Sequence, residues 1–330
     1  AQAFAEVIHD LGEDLGVAAA TAATADAALV VVGYTFRDEG EFVGSTGPEL
    51  RALLPPADEP EVVARYEAEL AALAPLDPPA HHIGRAEGFS TGGDRRRLRL
   101  AEEDVALIRA VAEANPRTIV AIQSGSAVLM GEWASQVPAV VQSWYAGWAA
   151  GAGLADVLTG AINPSGRLPF SIPDDESHLP DFDPDATQVR YDRWHGWWHL
   201  RRAGNRAAYP FGFGLSYTTF VIEQVASVLV DDELVVSASI RNTGGRAGAE
   251  VVQVYASGPD AEIPDRLVGF RRVEVGGASV EHVDIRVPLG LLAVRRPGES
   301  SWCPAAGPHT IRVGRHADDL DAVVLPVDLA

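Results

Sequence analysis

The chain has 330 residues and carries 46 acidic against 26 basic side chains, a formal charge of −20. All of the basic residues are arginine and they are scattered, whereas phosphate binding needs a clustered positive field, so nucleic acid is not an expected partner. No run approaches the roughly 18 consecutive apolar residues of a membrane helix, the start lacks the order of a signal peptide, and the single Cys303 leaves no intramolecular disulfide. No membrane partner is expected, and a cytoplasmic or secreted location stays open. Single cores seldom grow past roughly 250 residues, so two domains are expected. AQAFAEVIHDLGED begins without Met and in mid-phrase, and a preceding N-terminal part is expected.

Taken in order, TAATADAALVVVGYTF predicts a short helix and then a strand, and the unbroken AALVVVG has the pattern of a parallel strand buried on both faces. A loop begins near Gly33 and contains RDEGEF, with the carboxylates Asp38, Glu39 and Glu41. From Phe42 to Gly93 the composition shifts to Pro, acid and Gly, and only EPEVVARYEAELAAL keeps a helical period. Excursions of this length tend to be functional or mobile. RLRLAEEDVALIRAVAEANPRTIVAIQSGSAV predicts a helix at about residues 101–114, an Asn-Pro stop and the strand TIVAIQS. VPAVVQSWYAG supplies a third strand and AGAGLADVLTG a helix ended by Gly160. Strands alternating with helices imply a parallel sheet covered on both faces.

Residues 174–210, rich in Asp, Pro, Trp and His, read as a linker or a surface-wrapping segment. Beyond YPFGFGLSYTTF come the short alternating runs LVVSASIRNTGG, EVVQVYASG, LVGFRRVEV, SVEHVDIRV and HTIRVG. Such spacing predicts an antiparallel β-sandwich with a boundary near residue 220.

Several groups invite a chemical reading. The carboxylates of RDEGEF lie where a parallel strand ends, which is where open α/β sheets place ligands. Like charges and partial burial there raise one carboxyl's pKa and make a proton donor; the competing reading is a solvated acidic turn. Ser124 and Ser126 in QSGSA lack the G-x-S-x-G elbow, so a serine esterase has little support and a tight strand-to-helix turn explains them better. His195 and His199 lack the Glu that a zinc-binding helix carries, and the adjacent His81 and His82 would face opposite ways on a strand. Trp194, Trp197 and Trp198 read as packing material sooner than a sugar-stacking platform. Nucleotide binding has no motif, and no cofactor or metal is expected.

VVVGYTFRDEGEF, GGDRRRLRL, ANPRTIVAIQSGSAV, VVQSWYAG, LADVLTGAINPSGRLPFSIP, VRYD, YPFGFGLSYTTF and EVVQVYASGP with LVGFRRVEV, in this order, resemble the C-terminal half of glycoside hydrolase family 3, chiefly its β-glucosidases. The resemblance spans nearly the whole chain except residues 43–90. It implies an α/β sandwich domain, a mostly parallel sheet with flanking helices, over residues 1–185. A linker at 186–220 and an all-β, immunoglobulin/fibronectin type III-like sandwich at 221–330 follow. In that family an N-terminal (β/α)8 barrel carries the nucleophilic Asp and a loop of the α/β sandwich carries the acid/base Glu. No segment here resembles the barrel, which makes a barrel of the same polypeptide an expected partner. The chain alone is then expected to be inactive, with a β-glucoside or oligosaccharide as substrate of the whole.

The resemblance implies an acid/base Glu in a Gly-Glu or Glu-Gly context. Glu41 fits best, with Gly40 before it and Phe42, a candidate substrate contact, after it; Glu39 is second and Glu87 of AEGF third. Asp94 and Arg95 of GGDR are expected to anchor the loop, since an Arg-carboxylate fork is a good clamp. YAGWAAGAG and WHGWWHLRR depart from the family pattern. The alternative of another class is a non-catalytic carbohydrate-binding or assembly module.

Overall fold

The computed structural model describes residues 4, 6–39, 60–62, 64, 65, 68, 95, 97–183, 186–295 and 300–329. Two compact units divide the chain: an α/β unit, Ile8–Val128 with Glu132–Ala146, and a β unit, chiefly Gly147–Ala330.

In the α/β unit, helix α1 (Leu15–Thr24) starts at Asp14, whose carboxylate accepts from the N–H groups of Gly16 and Val17 at 2.8 and 3.0 Å. Such a cap satisfies donors that the first turn leaves without partners. Strand β1 (Ala28–Gly33) follows, then a single helical turn, α2 (Phe36–Glu39). Helix α3 (Glu102–Ala114) buries Val105, Ile108 and Val111 along one stripe and opens with Glu102, Glu103 and Asp104, acids that suit the positive end of a helix. Asn115 ends it, donating to the carbonyls of Ala22 and Ala25 at 2.9 and 3.0 Å and so tying the end of α3 to the end of α1.

Strands β2 (Thr118–Gln123) and β3 (Ala139–Gln142) complete a parallel sheet of order β1-β2-β3. The central strand is covered on both sides, with Val120, Ala121 and Ile122 fully buried. β1 is not, contrary to the pattern of AALVVVG. Val30 and Val32 are buried, but Leu29 and Val31 are 43% and 50% exposed. Within the apolar run only the alternate residues Val30 and Val32 lie on a covered face. Of EPEVVARYEAELAAL, the described residues 60–62, 64, 65 and 68 are helical.

The β unit opens with helix α4 (Ala150–Leu158), closed by Gly160 in the left-handed region at φ +72°. Strand β4 (Ile172–Pro173), helix α5 (Trp197–Arg202) and strand β5 (Ala207–Tyr209) follow, β4 pairing with β5. The segment expected to be a linker therefore contains a helix and a strand, the strand paired to β4 just before it. Its aromatics supply the reason: Trp197 lies 4.4 Å from Phe211 between ring centroids and edge-on to Tyr255 at 6.4 Å, and the Trp198 indole donates to the Asp265 carbonyl.

Two antiparallel sheets make the sandwich. One has the order β10-β7-β6 and the other β14-β13-β8-β9, with β6 (Phe220–Val230), β7 (Glu233–Asn242), β8 (Gly248–Ser257), β9 (Arg266–Val275) and β10 (Val280–Pro288). A small ladder, β11 (Ala293–Val294) with β12 (Cys303–Pro304), precedes β13 (Gly307–Gly314) and β14 (Val323–Leu329). Leu234, Ile240, Val252, Val254, Val287 and Ile311 are fully buried in the core. Each such side chain contributes about 1.5–3 kcal/mol by leaving water.

The quoted motifs INPSGRLPF and YPFGFGLSY bond to each other and to these strands. Asn163 accepts from Ser216 Oγ at 2.9 Å and from the Tyr217 N–H at 2.8 Å, and donates to the Ala247 carbonyl at 3.0 Å. Leu168 N–H donates to Phe213 O at 2.9 Å, and Gly212 N–H to Leu168 O at 2.8 Å. Arg167 pairs with Glu250 of β8.

Candidate active site

The site is built where β1 and β2 stop. Gly33 sits at φ +150°, where a Cβ would run into the Gln123 carbonyl of the neighbouring strand, so only glycine lets the two strand ends lie this close. The next N–H, of Tyr34, donates to that same carbonyl at 2.9 Å, and the Tyr34 hydroxyl donates to the Arg99 carbonyl at 2.8 Å. Thr35 then caps the turn α2. Its N–H and hydroxyl both donate to Asp38 Oδ2, at 3.0 and 3.2 Å, while the Asp38 and Glu39 N–H groups donate to the Thr35 carbonyl at 3.0 Å. This reciprocal arrangement is half of a capping box, with the acid three residues after the cap.

Glu39 is turned the other way, towards the end of β2. Its Oε1 pairs with Arg95 Nε at 2.9 Å; its Oε2 accepts from the Gly125 N–H at 2.9 Å and from the Tyr145 hydroxyl. A Cβ at Gly125 would sit 3.2 Å from Glu39 Oε2 and 3.3 Å from the Tyr145 ring, so this position is held small by the contact. Arg95 spends its other donors on the turn after β2: Nη1 donates to the Ala127 carbonyl at 2.9 Å and Nη2 to Ser126 Oγ. Its guanidinium lies 4.4 Å from the centre of the Tyr34 ring, within reach of the ring's negative face. The ion pair is well shielded, with side-chain exposures of 9% for Arg95 and 14% for Glu39.

Tyr145 comes from the segment after β3. It is delivered by Trp144 at φ +57°, a backbone region that bulky residues seldom enter. Tyr145 itself is half exposed, but its hydroxyl end is drawn into the site. Burial, and then the Glu39 carboxylate to which it donates, push that hydroxyl up to about 12, so it stays a donor at neutral pH. Burial also raises the Tyr34 phenol, against the nearby Arg95 charge. On α3, burial together with the charges of Glu103 and Asp38 holds the Asp104 carboxyl above its ordinary value, while a hydrogen bond from the Gly33 backbone works the other way.

Of the residues singled out from sequence, Glu39 and Arg95 are brought into direct contact. Glu41, Phe42, Glu87 and Asp94, and likewise His81 and His82, lie outside the described residues. The carboxylate facing Arg95 is thus Glu39, across the turn. Ser124 is fully buried; its hydroxyl donates to the Ser126 carbonyl at 2.8 Å and takes the Gln142 amide at 3.0 Å, the duties of a turn residue. His195 precedes α5 with its ring tilted against that of Trp198, 5.2 Å between centroids, while His199 lies within the helix. No group of three metal-ligating side chains occurs among the described residues. Tyr145, Tyr34 and Asp104 were missed in the sequence. Tyr145 had one available signal, its place just after a third parallel strand, at the sheet end where ligands gather.

Residues 2–217 match the Glycosyl hydrolase family 3 C-terminal domain, and residues 250–317 match the Fibronectin type III-like domain. The chain belongs to glycosyl hydrolase family 3, with the α/β sandwich of its C-terminal portion followed by a fibronectin type III-like module. It is similar to the β-glucosidase of Kluyveromyces marxianus, 33% identical over 296 residues that cover 86% of this chain and 34% of that protein. β-Glucosidase B of Emericella nidulans is 37% identical over 240 residues, 66% of this chain and 28% of that protein. Among solved structures, the K. marxianus β-glucosidase in complex with glucose superposes with a TM-score of 0.74 at 27% identity, covering 98% of this chain and 34% of that one. A β-glucosidase from Streptomyces venezuelae in complex with D-glucose gives 0.72 at 26% identity, covering 95% and 35%. The chain therefore spans about a third of the length of these relatives.

Proposed function

We propose that this chain is the C-terminal part of a retaining β-glucosidase that hydrolyses terminal β-linked glucosyl residues. It supplies the acid/base carboxyl, Glu41, while the nucleophilic Asp belongs to a (β/α)8 barrel upstream in the same polypeptide. The observation that carries this reading is the division of labour within RDEGEF. Asp38 is used as a cap and Glu39 accepts from Arg95, Gly125 and Tyr145. A carboxylate held by three partners, Arg95 and groups on two other stretches of chain, is engaged in binding the site together. Glu41 is then the first candidate donor and Glu87 the second, with Phe42 an apolar wall beside the sugar.

In the reaction, the nucleophilic carboxylate attacks the anomeric carbon as Glu41 passes its proton to the departing glycosidic oxygen, leaving a glycosyl-enzyme ester. Glu41, now a carboxylate, takes a proton from water, whose oxygen bonds to the anomeric carbon and releases the nucleophile. Retention of configuration asks for the two carboxyls to stand about 5–5.5 Å apart.

The test compares hydrolysis of an aryl β-glucoside by residues 1–330, by the polypeptide extended upstream, and by the extended form carrying Glu41→Ala. Activity is expected in the extended form alone. Glu41→Ala should lower kcat/KM by about 10²–10⁴-fold on substrates with poor leaving groups, and with a 2,4-dinitrophenyl β-glucoside, where deglycosylation limits, added azide should restore turnover as a β-glucosyl azide. An unchanged rate in that variant would remove Glu41 from the role. Turnover by residues 1–330 would place the nucleophile within them, and inactivity of the extended form would favour a carbohydrate-binding or assembly module.

A further inference from the structure

We infer that Glu39, Arg95 and Tyr145 are positioning residues for the proton-donating step, fixed to one another at the C-terminal edge of the parallel sheet. This rests on the proposed reading of Glu41 as acid/base, a residue two positions beyond Glu39.

The 2.9 Å ion pair joins Glu39 directly to Arg95, a residue far from it in sequence. Both are then fixed to the turn that follows β2, Glu39 through the Gly125 N–H and Arg95 through Ala127 and Ser126. The third strand contributes independently. The backbone at Trp144 is held at φ +57°, and the residue it delivers, Tyr145, spends its hydroxyl on Glu39. Strain of this kind persists only where the surroundings over-determine it, and it concentrates at functional sites. Three separate stretches of chain therefore converge on one carboxylate. A brace needed only for folding would not require a half-exposed aromatic reaching in from a strained backbone.

Positioning of a proton donor has a signature that general loosening lacks. Formation of the glycosyl-enzyme from a methyl β-glucoside needs the proton; from a 2,4-dinitrophenyl β-glucoside it does not, because that phenolate leaves unaided. In the upstream-extended polypeptide, Glu39→Gln should lower kcat/KM about 10- to 100-fold on the methyl glucoside, the range for losing charge-assisted hydrogen bonds, and leave the dinitrophenyl glucoside within about threefold. Tyr145→Phe, which keeps the ring and removes one neutral donor, should act in the same sense by about three- to tenfold. Equal slowing on both substrates, or no slowing by either variant, overturns the inference. Glu41→Ala in parallel keeps the two readings apart: if it alone shows the leaving-group dependence, the positioning set is wrong and the acid/base reading survives. If Glu41→Ala shows none, both fall together.

Discussion

Two shielded arginine-carboxylate pairs, one in each unit, do different work. Glu250 on β8 and Arg167 have side-chain exposures of 6% and 9%, and Glu39 and Arg95 of 14% and 9%. By burial and charge alone the pairs look alike. Glu250, however, closes on its own strand, accepting from the Val251 N–H at 2.7 Å, and its partner belongs to the NPSGRLPF stretch that lies along the same sheet. Glu39 stands where three parallel strands end, with a half-exposed tyrosine hydroxyl on its second oxygen. Topology, more than the pair itself, separates a brace from a site: antiparallel ladders continue past a charge, while the ends of parallel strands leave it facing a crevice.

The comparison can be broken most forcefully at the brace. Glu250→Ala leaves the Arg167 guanidinium buried without its carboxylate and should cost the β unit about 3–5 kcal/mol in denaturant melts, because an unpaired buried charge has lost its water as well. A loss below about 1 kcal/mol would mean that the pair is solvated and adds little. A second charge in the β unit sharpens the point through pH. Burial works to raise the Asp319 carboxyl, but hydrogen bonds from the Arg315 guanidinium and from the backbone N–H groups of Arg315 and Asp321 override it and hold the carboxyl below its ordinary value. Because the folded value lies below the unfolded one, the stability it adds is present above pH about 4 and disappears as pH falls through the folded value. Asp319→Asn should therefore cost about 1.5–3 kcal/mol at pH 7 and progressively less in acid; a gap that widens in acid would contradict the pairing.

The smallest effect is expected at Asp104, beside the site, and its sign is reversed. Its folded value is raised, so its contribution is present at low pH and lost as pH rises through that value. Asp104→Asn keeps an acceptor for the Gly33 N–H and removes the charge. Its melting temperature should gain on the parent's between pH about 4 and 7, and a loss over that interval would show that the ionised form is the favoured one.

The sandwich was legible strand by strand wherever alternation ran unbroken, as in β7 to β10 and β13. Two strands escaped for local reasons. β6 is interrupted by a bulge between Glu223 and Ala226, with Gln224 at φ +53°, which shifts the inward and outward positions halfway along. β14 contains Pro326, which a central strand would refuse and an edge strand accepts. Residues 174–210 looked structureless because a short helix held by tryptophans leaves no period to read. At the site, motif order pointed to RDEGEF and GGDR, but which carboxylate meets Arg95 depends on how the chain returns. Tyr145 lies 106 residues from Glu39 in sequence, and such a contact leaves no local pattern.

The ion pair of Glu39 with Arg95 also brings together the two ends of whatever chain joins them. With both attachment points already side by side, the entropy of closing the segment grows only with the logarithm of its length, about 0.6 kcal/mol for each doubling. Chains of other lengths and compositions should therefore be accepted between residues 39 and 95 at little cost to the sheet, so that sequence can vary there without rebuilding the domain that supports it.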